Sequence, residues 1–347
     1  MKVYKYTPHI NLFLKSSSLK LTPSFQLNDP FEAKLTDEYI SNTKLEMDKL
    51  LKNNKLTEGF AKNLSNNGKY KGIISLSMKK CDIKMLSHYA ENHSGGILEF
   101  TIEDIGDGID NKTSLFNGRS KSYNFGSVEY LSERNKSGSL DPDYFSKGFC
   151  FEKFIDWDEE EEVRYLSDFR DVDYLLIPKK ELVEYYVENF QKRLNEHCFD
   201  YELYDFQVEN DEFRYIYKYC GFEEKKGKFF FSKPKKIRSI VGKIFGKNIK
   251  VYKETDSMIE ILIKDSNKSY YPFDRAYCWD RLIETGCLFH PMLKVEPSKL
   301  TGLYLGSKFD FDTFDTALLD KFENLNRNVK SALISPNDFS HELIDVL

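Results

Sequence analysis

The sequence predicts an α+β fold, with strands and helices mixed along the chain, and three observations lead there. Short β-prone runs recur between turn residues: VYKY from Val3, GIISLSM from Gly72, ILEFTI from Ile97 and, with a turn, SKLTGLYLGSKF from Ser298. Segments with apolar positions at helical spacing fall between them in no strict alternation. Aromatic residues are plentiful, 28 Phe and 22 Tyr, enough for a sizeable core.

Taken in order, Val3–Tyr6 reads as a strand closed by Thr7-Pro8, and Ile10–Lys15 as a helical turn. Ser18–Pro23 is a second strand. Asn28-Asp29-Pro30 signals a turn, with Asp29 as an N-cap, Pro30 in the first helical position and Phe31 buried. The alternative puts Asn28, Asp29 and Glu32 on a pocket wall. Thr36–Leu64 reads as one or two surface helices, and Gly72–Met78 as a strand. Ile83–Asn92 is a helix that Asp82 can cap and His93-Ser94-Gly95-Gly96 can end. Ile97–Ile102 is a strand, Asp104–Gly126 a loop, Val128–Leu131 strand-like and Asp141–Phe151 a helix.

After Leu166 the character changes. Tyr174–Ile177 is a strand stopped by Pro178, and Lys179–Leu194 an amphipathic helix. Glu196–Cys287 is the least regular region. Ser298–Phe309 reads as a strand and turn, Asp315–Asn326 as a helix and Val329–Ser335 as a last strand.

A chain of 347 residues suggests about two domains. Its net charge of −5 gives no global field toward nucleic acid or anionic lipid. The six cysteines include no Cys-x-x-Cys pair and suit a reducing compartment. With no apolar leader and no long apolar run, a cytoplasmic location without membrane contact is expected.

The stretch FEKFIDWDEEEEVRYL, Phe151–Leu166, carries the densest chemistry. If its end is a strand, Glu160, Glu162 and Arg164 share one face. Carboxylates about 6.5–7 Å apart along such a strand repel by about 2.4 kcal/mol at an effective dielectric near 20, so a cation is needed beside them. Arg164 or a cationic substrate would serve; a solvated acidic loop running into an edge strand is the plainer reading.

Four stretches fall in a recognisable order: Tyr4-Lys5-Tyr6; Asn28-Asp29-Pro30-Phe31-Glu32; Ser75-Leu76-Ser77 with His88-Tyr89-Ala90, Asn92-His93 and Glu99-Phe100; and Trp-x-x-Glu-x-Glu-x-Arg from Trp157 to Arg164. They resemble a largely bacterial domain-of-unknown-function family, number 2971 in that series. Thr301–Phe309 resembles its C-terminal part. A tryptophan the family often has before Ser-His-Tyr is Leu86 here. The resemblance makes residues 1–170 and 295–347 a core domain and 171–294 a large helical or mixed insertion. It also suggests the ADP-ribosyltransferase fold, a split, strongly bent mixed or antiparallel sheet that grips NAD. In one branch of that superfamily a first-strand cation, a Ser-x-Ser strand and a terminal Glu form the site. Lys5, Ser75 with Ser77, and Glu160 with Glu162 match that order, although the cation is normally Arg or His.

The resemblance therefore implies an enzyme that cleaves NAD, with Glu162 and Glu160 catalytic and a setting in phage defence or toxin action. Tyr4, Lys5, Tyr6, Ser75, Ser77, His88, Tyr89 and Arg164 would bind the dinucleotide. Glu162 would stabilise an oxocarbenium-like state and Glu160 would orient or deprotonate the nucleophile. Lys5 or Arg164 would face a diphosphate oxygen. The acceptor would be a protein, a nucleic acid or water. His88 and His93, five residues apart, do not stack on one helix face, so no metal pair is expected; His88 would order a turn or carboxylate, and His93 would cap the helix. Lys225–Lys253, with Phe229, Phe230, Phe231 and Phe245, is a solvated face or a nucleic-acid contact. Two alternatives stand beside the enzyme: a metal-dependent nuclease using Asp29, Glu32, Glu160 and Glu162, and a non-catalytic module that senses a ligand or nucleic acid.

Overall fold

The computed structural model describes residues 1–51, 54–65, 68–102, 115–116, 124–138, 140–141, 143–144, 147–168, 172–178, 289–325, 328–335 and 341–346, residue 283, and the strands of residues 201–262. The chain divides into two compact units, Met1–Asp171 with Leu293–Leu347, and Val172–Met292.

The first unit opens with β1 (Lys2–Thr7), α1 (Ile10–Ser16), β2 (Ser18–Lys20) and β3 (Thr22–Pro23). Helices α2 (Asp37–Leu51) and α3 (Asn54–Ser65) follow, then β4 (Lys71–Ser77), α4 (Ile83–Tyr89) and β5 (Gly96–Thr101). Next come β6 (Asn124–Ser127), β7 (Glu129–Leu131), β8 (Glu152–Phe154) and β9 (Glu162–Asp168).

In the second unit, β10 (Tyr174–Pro178) pairs antiparallel with β16 (Met258–Leu262) and with residues His290–Met292 of β17 (His290–Lys294). Strand β15 (Val251–Glu254) adds to β16. A hairpin of β11 (Tyr201–Glu209) and β12 (Glu212–Tyr219) carries β13 (Lys228–Phe230) and β14 (Lys235–Lys236) on β12. Glu196–Cys287 is thus not irregular where it is described. The aromatic-polar alternation of YELYDF and RYIYKY accounts for the hairpin. The helix expected at Lys179–Leu194 and the side chains of Lys225–Lys253 lie outside the described residues.

The first unit closes with β18 (Leu300–Gly306), β19 (Val329–Ile334) and β20 (His341–Asp345). Its sheet has nine strands, eight in the order β20-β19-β18-β5-β1-β4-β9-β6, with β3 also on β4. It is mixed: β18 and β19 run parallel, and the other pairs are antiparallel. An α+β class with one large sheet is therefore what the chain forms.

Alternation assigns the faces. Val3, paired with Phe100, lies on the side covered by α1, where Phe13 meets Phe100 edge-on and stacks on Phe322. Tyr4, Tyr6 and Ile97 point the other way, onto Leu86 and Ala90 around α4. Asp82 caps α4, accepting a hydrogen bond from the Met85 amide at 3.0 Å. Gly306 lets β18 end against the loop after α4: a Cβ there would lie 2.1 Å from the His93 carbonyl oxygen. That loop runs left-handed through Glu91, Asn92 and His93, with φ of 49°, 52° and 72°.

One break in the sheet positions the site. Strand β9 pairs with β4 along its whole length, Lys71 to Ser77. On the opposite edge, β3 pairs only with Gly72 and Ile73, and β1 only with Ser77. Between them, residues 74–76 have no strand partner on that edge among the described residues. Thr22, opposite Ile73, is the residue of β3 next to this gap.

Several helices expected from sequence are shorter or absent. Asp141–Phe151 gives a 3-10 helix at Gly148–Phe151, and Asp315–Asn326 two 3-10 turns, Thr316–Leu319 and Glu323–Leu325. At the start of the latter, Asp315 accepts from the backbone amide two residues on, as Asp310 does just before it, a local bond that competes with helix. Asn28–Ala33 forms a turn, not a helix start. The Asp29 carboxylate accepts from the Phe31 amide at 2.8 Å, and Phe31 is 65% exposed instead of buried.

Candidate functional site

The stretch from Phe154 to Glu162 is held differently from a plain strand. Ile155–Glu160 winds as a 3-10 helix, Glu161 takes a left-handed φ of 43°, and β9 begins at Glu162. Glu160 therefore does not share a strand with Glu162. The turn is fixed by the Ser77 hydroxyl, which donates to the Glu160 carbonyl at 2.7 Å, and by the Met78 amide, which donates to the Glu161 carbonyl at 3.0 Å. The Glu162 amide donates to the Tyr130 hydroxyl at 2.8 Å. Both carboxylates still meet, because they close on one ammonium.

That ammonium belongs to Lys153 on β8. Its Nζ lies 2.6 Å from Glu160 Oε2, 3.1 Å from Glu162 Oε2 and 3.3 Å from Glu32 Oε1. It also stands 4.9 Å from the centre of the Trp157 ring, a cation–π contact. Arg164, fully buried, forks onto Glu162 with Nε to Oε1 at 2.8 Å and Nη2 to Oε2 at 3.1 Å. Its Nη2 also lies 3.1 Å from Glu32, and Nη1 donates to the Cys150 carbonyl at 2.7 Å. The Tyr89 hydroxyl donates to Glu160 Oε1 at 2.6 Å.

The electrostatics follow from these partners. Burial alone would raise the Glu162 pKa, but Arg164, Lys153 and the Ser75 hydroxyl outweigh it and hold the carboxyl at about 2. For Glu32 burial wins over Arg164 and Lys153, and its pKa is raised. Burial lowers Lys153, yet Glu162, Glu32 and Glu160 more than restore it, so its pKa rises. Lys5 reaches into the break in the sheet, where Nζ donates to the Ser75 carbonyl at 2.9 Å. Desolvation there brings it down to about 8, against the pull of Glu162.

A cavity of about 170 Å³ opens at the break. Of the residues the sequence marks, Tyr4, Lys5, Tyr6, Asn28, Asp29, Glu32, Ser75, Ser77, Tyr89, Glu160 and Glu162 line it. Two do not. Arg164 is sealed beneath the cavity with its donors engaged, so it faces no diphosphate. His88 is exposed and lines a side cavity of about 230 Å³ with Tyr89, Trp157 and Glu159; of the two neighbours on α4, Tyr89 reaches the central cavity and His88 does not. Tyr6 has a fastening role as well: its hydroxyl donates to the Lys79 carbonyl and accepts from the Asp82 amide, each at 2.9 Å. His93, expected to cap α4, is buried in the loop that follows it, and its amide donates to the Leu86 carbonyl at 3.3 Å.

Sequence reasoning missed Lys153, the hub of the network. The signal was available: a lone lysine between Glu152 and Phe154, in an aromatic run that cannot all face water. Among the described residues, no group of three or more His, Cys, Asp and Glu is arranged to hold a metal ion, and no helix is long and apolar enough to cross a membrane. Among Glu32, Glu160 and Glu162, the central position is taken by the Lys153 ammonium. Comparison with protein-family models, with curated proteins and with solved structures finds no match to this chain.

Proposed function

We propose that this protein is an ADP-ribosyltransferase-like enzyme, which cleaves the bond between nicotinamide and ribose in NAD. The ADP-ribosyl group passes to a macromolecule, or to water with release of ADP-ribose, nicotinamide and a proton. The observation that supports this reading is the break between β1 and β3, edged by Lys5, Ser75 and Ser77 and walled by Glu160 and Glu162. A carboxyl held at about 2 is an anion at every working pH, which suits stabilising an oxocarbenium-like centre and rules out proton donation by Glu162. Glu160, on the cavity wall and bonded to Tyr89, is the group to take the nucleophile's proton.

A specific observation favours a second reading, a ligand-sensing module. Both carboxylate oxygens of Glu160 and of Glu162 are already engaged by side chains of the chain itself. On that reading the cavity binds without turnover. Incubation of purified protein with NAD separates the two. The enzyme reading expects nicotinamide release, reduced about 10²–10⁴-fold in Glu160→Gln. Binding of NAD with no release, with or without cell lysate, would leave only the sensing module.

A further inference from the structure

Beside the central cavity lies a larger one of about 500 Å³, and the two share Asn28, Asp29, Glu32, Lys153 and Trp157 as walls. At about 170 Å³ the central cavity is smaller than the about 300–1,000 Å³ of sites that enclose a drug-sized ligand or cofactor, so a dinucleotide would have to extend beyond it. The larger chamber has a different chemistry. Phe31, Phe149, Phe154, Leu131 and Trp157 supply apolar wall, and Lys34 and Arg134 supply cations.

Two of these rings are held out where burial would have been favourable: Phe31 is 65% exposed and Phe154 47%. Phe31 is presented by design of its loop. The Asp29 carboxylate takes its amide, the Glu32 amide donates to the Asp29 carbonyl at 3.3 Å, and Arg134 donates to the Lys34 carbonyl. Ala33, left-handed at φ 51°, is buried among Ile73, Phe149 and Leu166 and anchors the turn from behind. The acidic wall residues have partners of their own: Asp29 is turned to its own loop, Glu32 is ion-paired with Lys153 and Arg164, and Glu152 is bonded to Tyr144 with Arg134 nearby. Lys34 Nζ donates to the Pro30 carbonyl at 2.8 Å, which leaves two of its three donors for a ligand.

We infer that this chamber seats a planar heteroaromatic base carrying a phosphate, the base against Phe31, Phe154 and Trp157 and the phosphate at Lys34 and Arg134. Every nucleobase offers a π-face to such walls, and guanidinium and ammonium groups are the usual phosphate partners. The inference deepens the proposal above, on which it rests for choosing a nucleotide over another aromatic anion.

The test uses AMP, which has no nicotinamide–ribose bond. Trp157 and Trp279 are the two tryptophans of the chain, so Trp279→Phe leaves Trp157 as the reporter. AMP and ADP-ribose are expected to quench its fluorescence saturably, and nicotinamide is expected not to compete with AMP. Phe31→Ala, at an exposed position, should weaken AMP at least about 10-fold with an unchanged Tm, as should Phe154→Ala; about 10-fold is the effect of losing one stacked base. Arg134→Gln should weaken AMP but not adenosine. Absence of quenching with millimolar AMP overturns the inference, and so does equal AMP affinity in both phenylalanine variants. AMP binding without nicotinamide release from NAD would sink the cleavage reading alone. Release with an unchanged KM in Phe31→Ala and Phe154→Ala would sink the chamber alone.

Discussion

Arg164→Met strikes the site where its structure is most tightly determined. The guanidinium is fully buried and joins Glu162, Glu32 and the Cys150 carbonyl, so its removal strands two carboxylates away from water. A carboxyl held at about 2 instead of near 4.5 contributes about 3 kcal/mol of stability at neutral pH, of which Arg164 supplies the largest part and Lys153 and Ser75 the rest. Removing one partner of a buried pair costs about 3–5 kcal/mol, because the other charge is left buried. For a unit of this size the lower figure corresponds to a Tm lower by about 6–12 °C. The sign follows from linkage. Because the folded pKa is depressed, this contribution is complete above pH 4.5 and disappears as pH falls toward 2. Urea denaturation followed by circular dichroism should therefore show a gap of about 3 kcal/mol at pH 7 that narrows below pH 4.5. Replacing Glu162 as well removes one stranded charge, so Arg164→Met/Glu162→Met should lose less than the two single variants together. A single variant within about 1 kcal/mol of the parent, or strict additivity in the double, would refute the reasoning.

Two further expectations concern the frame around the cavity. The folded pKa of Lys5 is lowered from 10.5 to about 8, so the unfolded chain binds more protons between those values and stability gains from Lys5 as pH rises from about 8 to 10.5. Lys5→Met should lack that gain, read as the difference between the two proteins' pH–stability curves; parallel curves would contradict the desolvation of Lys5. Gly306→Ala should destabilise by about 1–3 kcal/mol, since its Cβ meets the His93 carbonyl at 2.1 Å, and thermal melting at unchanged Tm would show that contact to be relaxed at no cost.

Much of the frame is legible in local pattern. Strands β1, β4, β5 and β18 follow from β-prone runs between turns, and α4 from the Asp82 cap, because each signal is confined to a few residues. What escaped depends on contacts distant in sequence or on unusual backbone. The ion pairs of Lys153 reach from Glu32 to Glu162, and no periodicity of FEKF encodes such partners. The run of four glutamates hides the left-handed Glu161 that swings Glu160 off the strand, since glutamate carries no turn signal. Arg164 reads as a surface cation from residue type alone, and only the pairing of Ser75 with Arg164 and Ser77 with Glu162 buries it. The β11–β12 hairpin was legible but overlooked, because its alternation is aromatic against charged instead of aliphatic against polar.

The central claim is that a ligand enters the gap between β1 and β3. Thr22, on the rim of that gap and outside the ion network, can be enlarged without touching Lys153 or Arg164. Calorimetric titration with an NAD analogue whose nicotinamide–ribose bond cannot break should give saturable binding to the parent protein. Thr22→Trp, with its Tm retained, should bind at least about 10-fold more weakly, a loss of about 1.4 kcal/mol. Equal affinity in the two proteins would contradict the account.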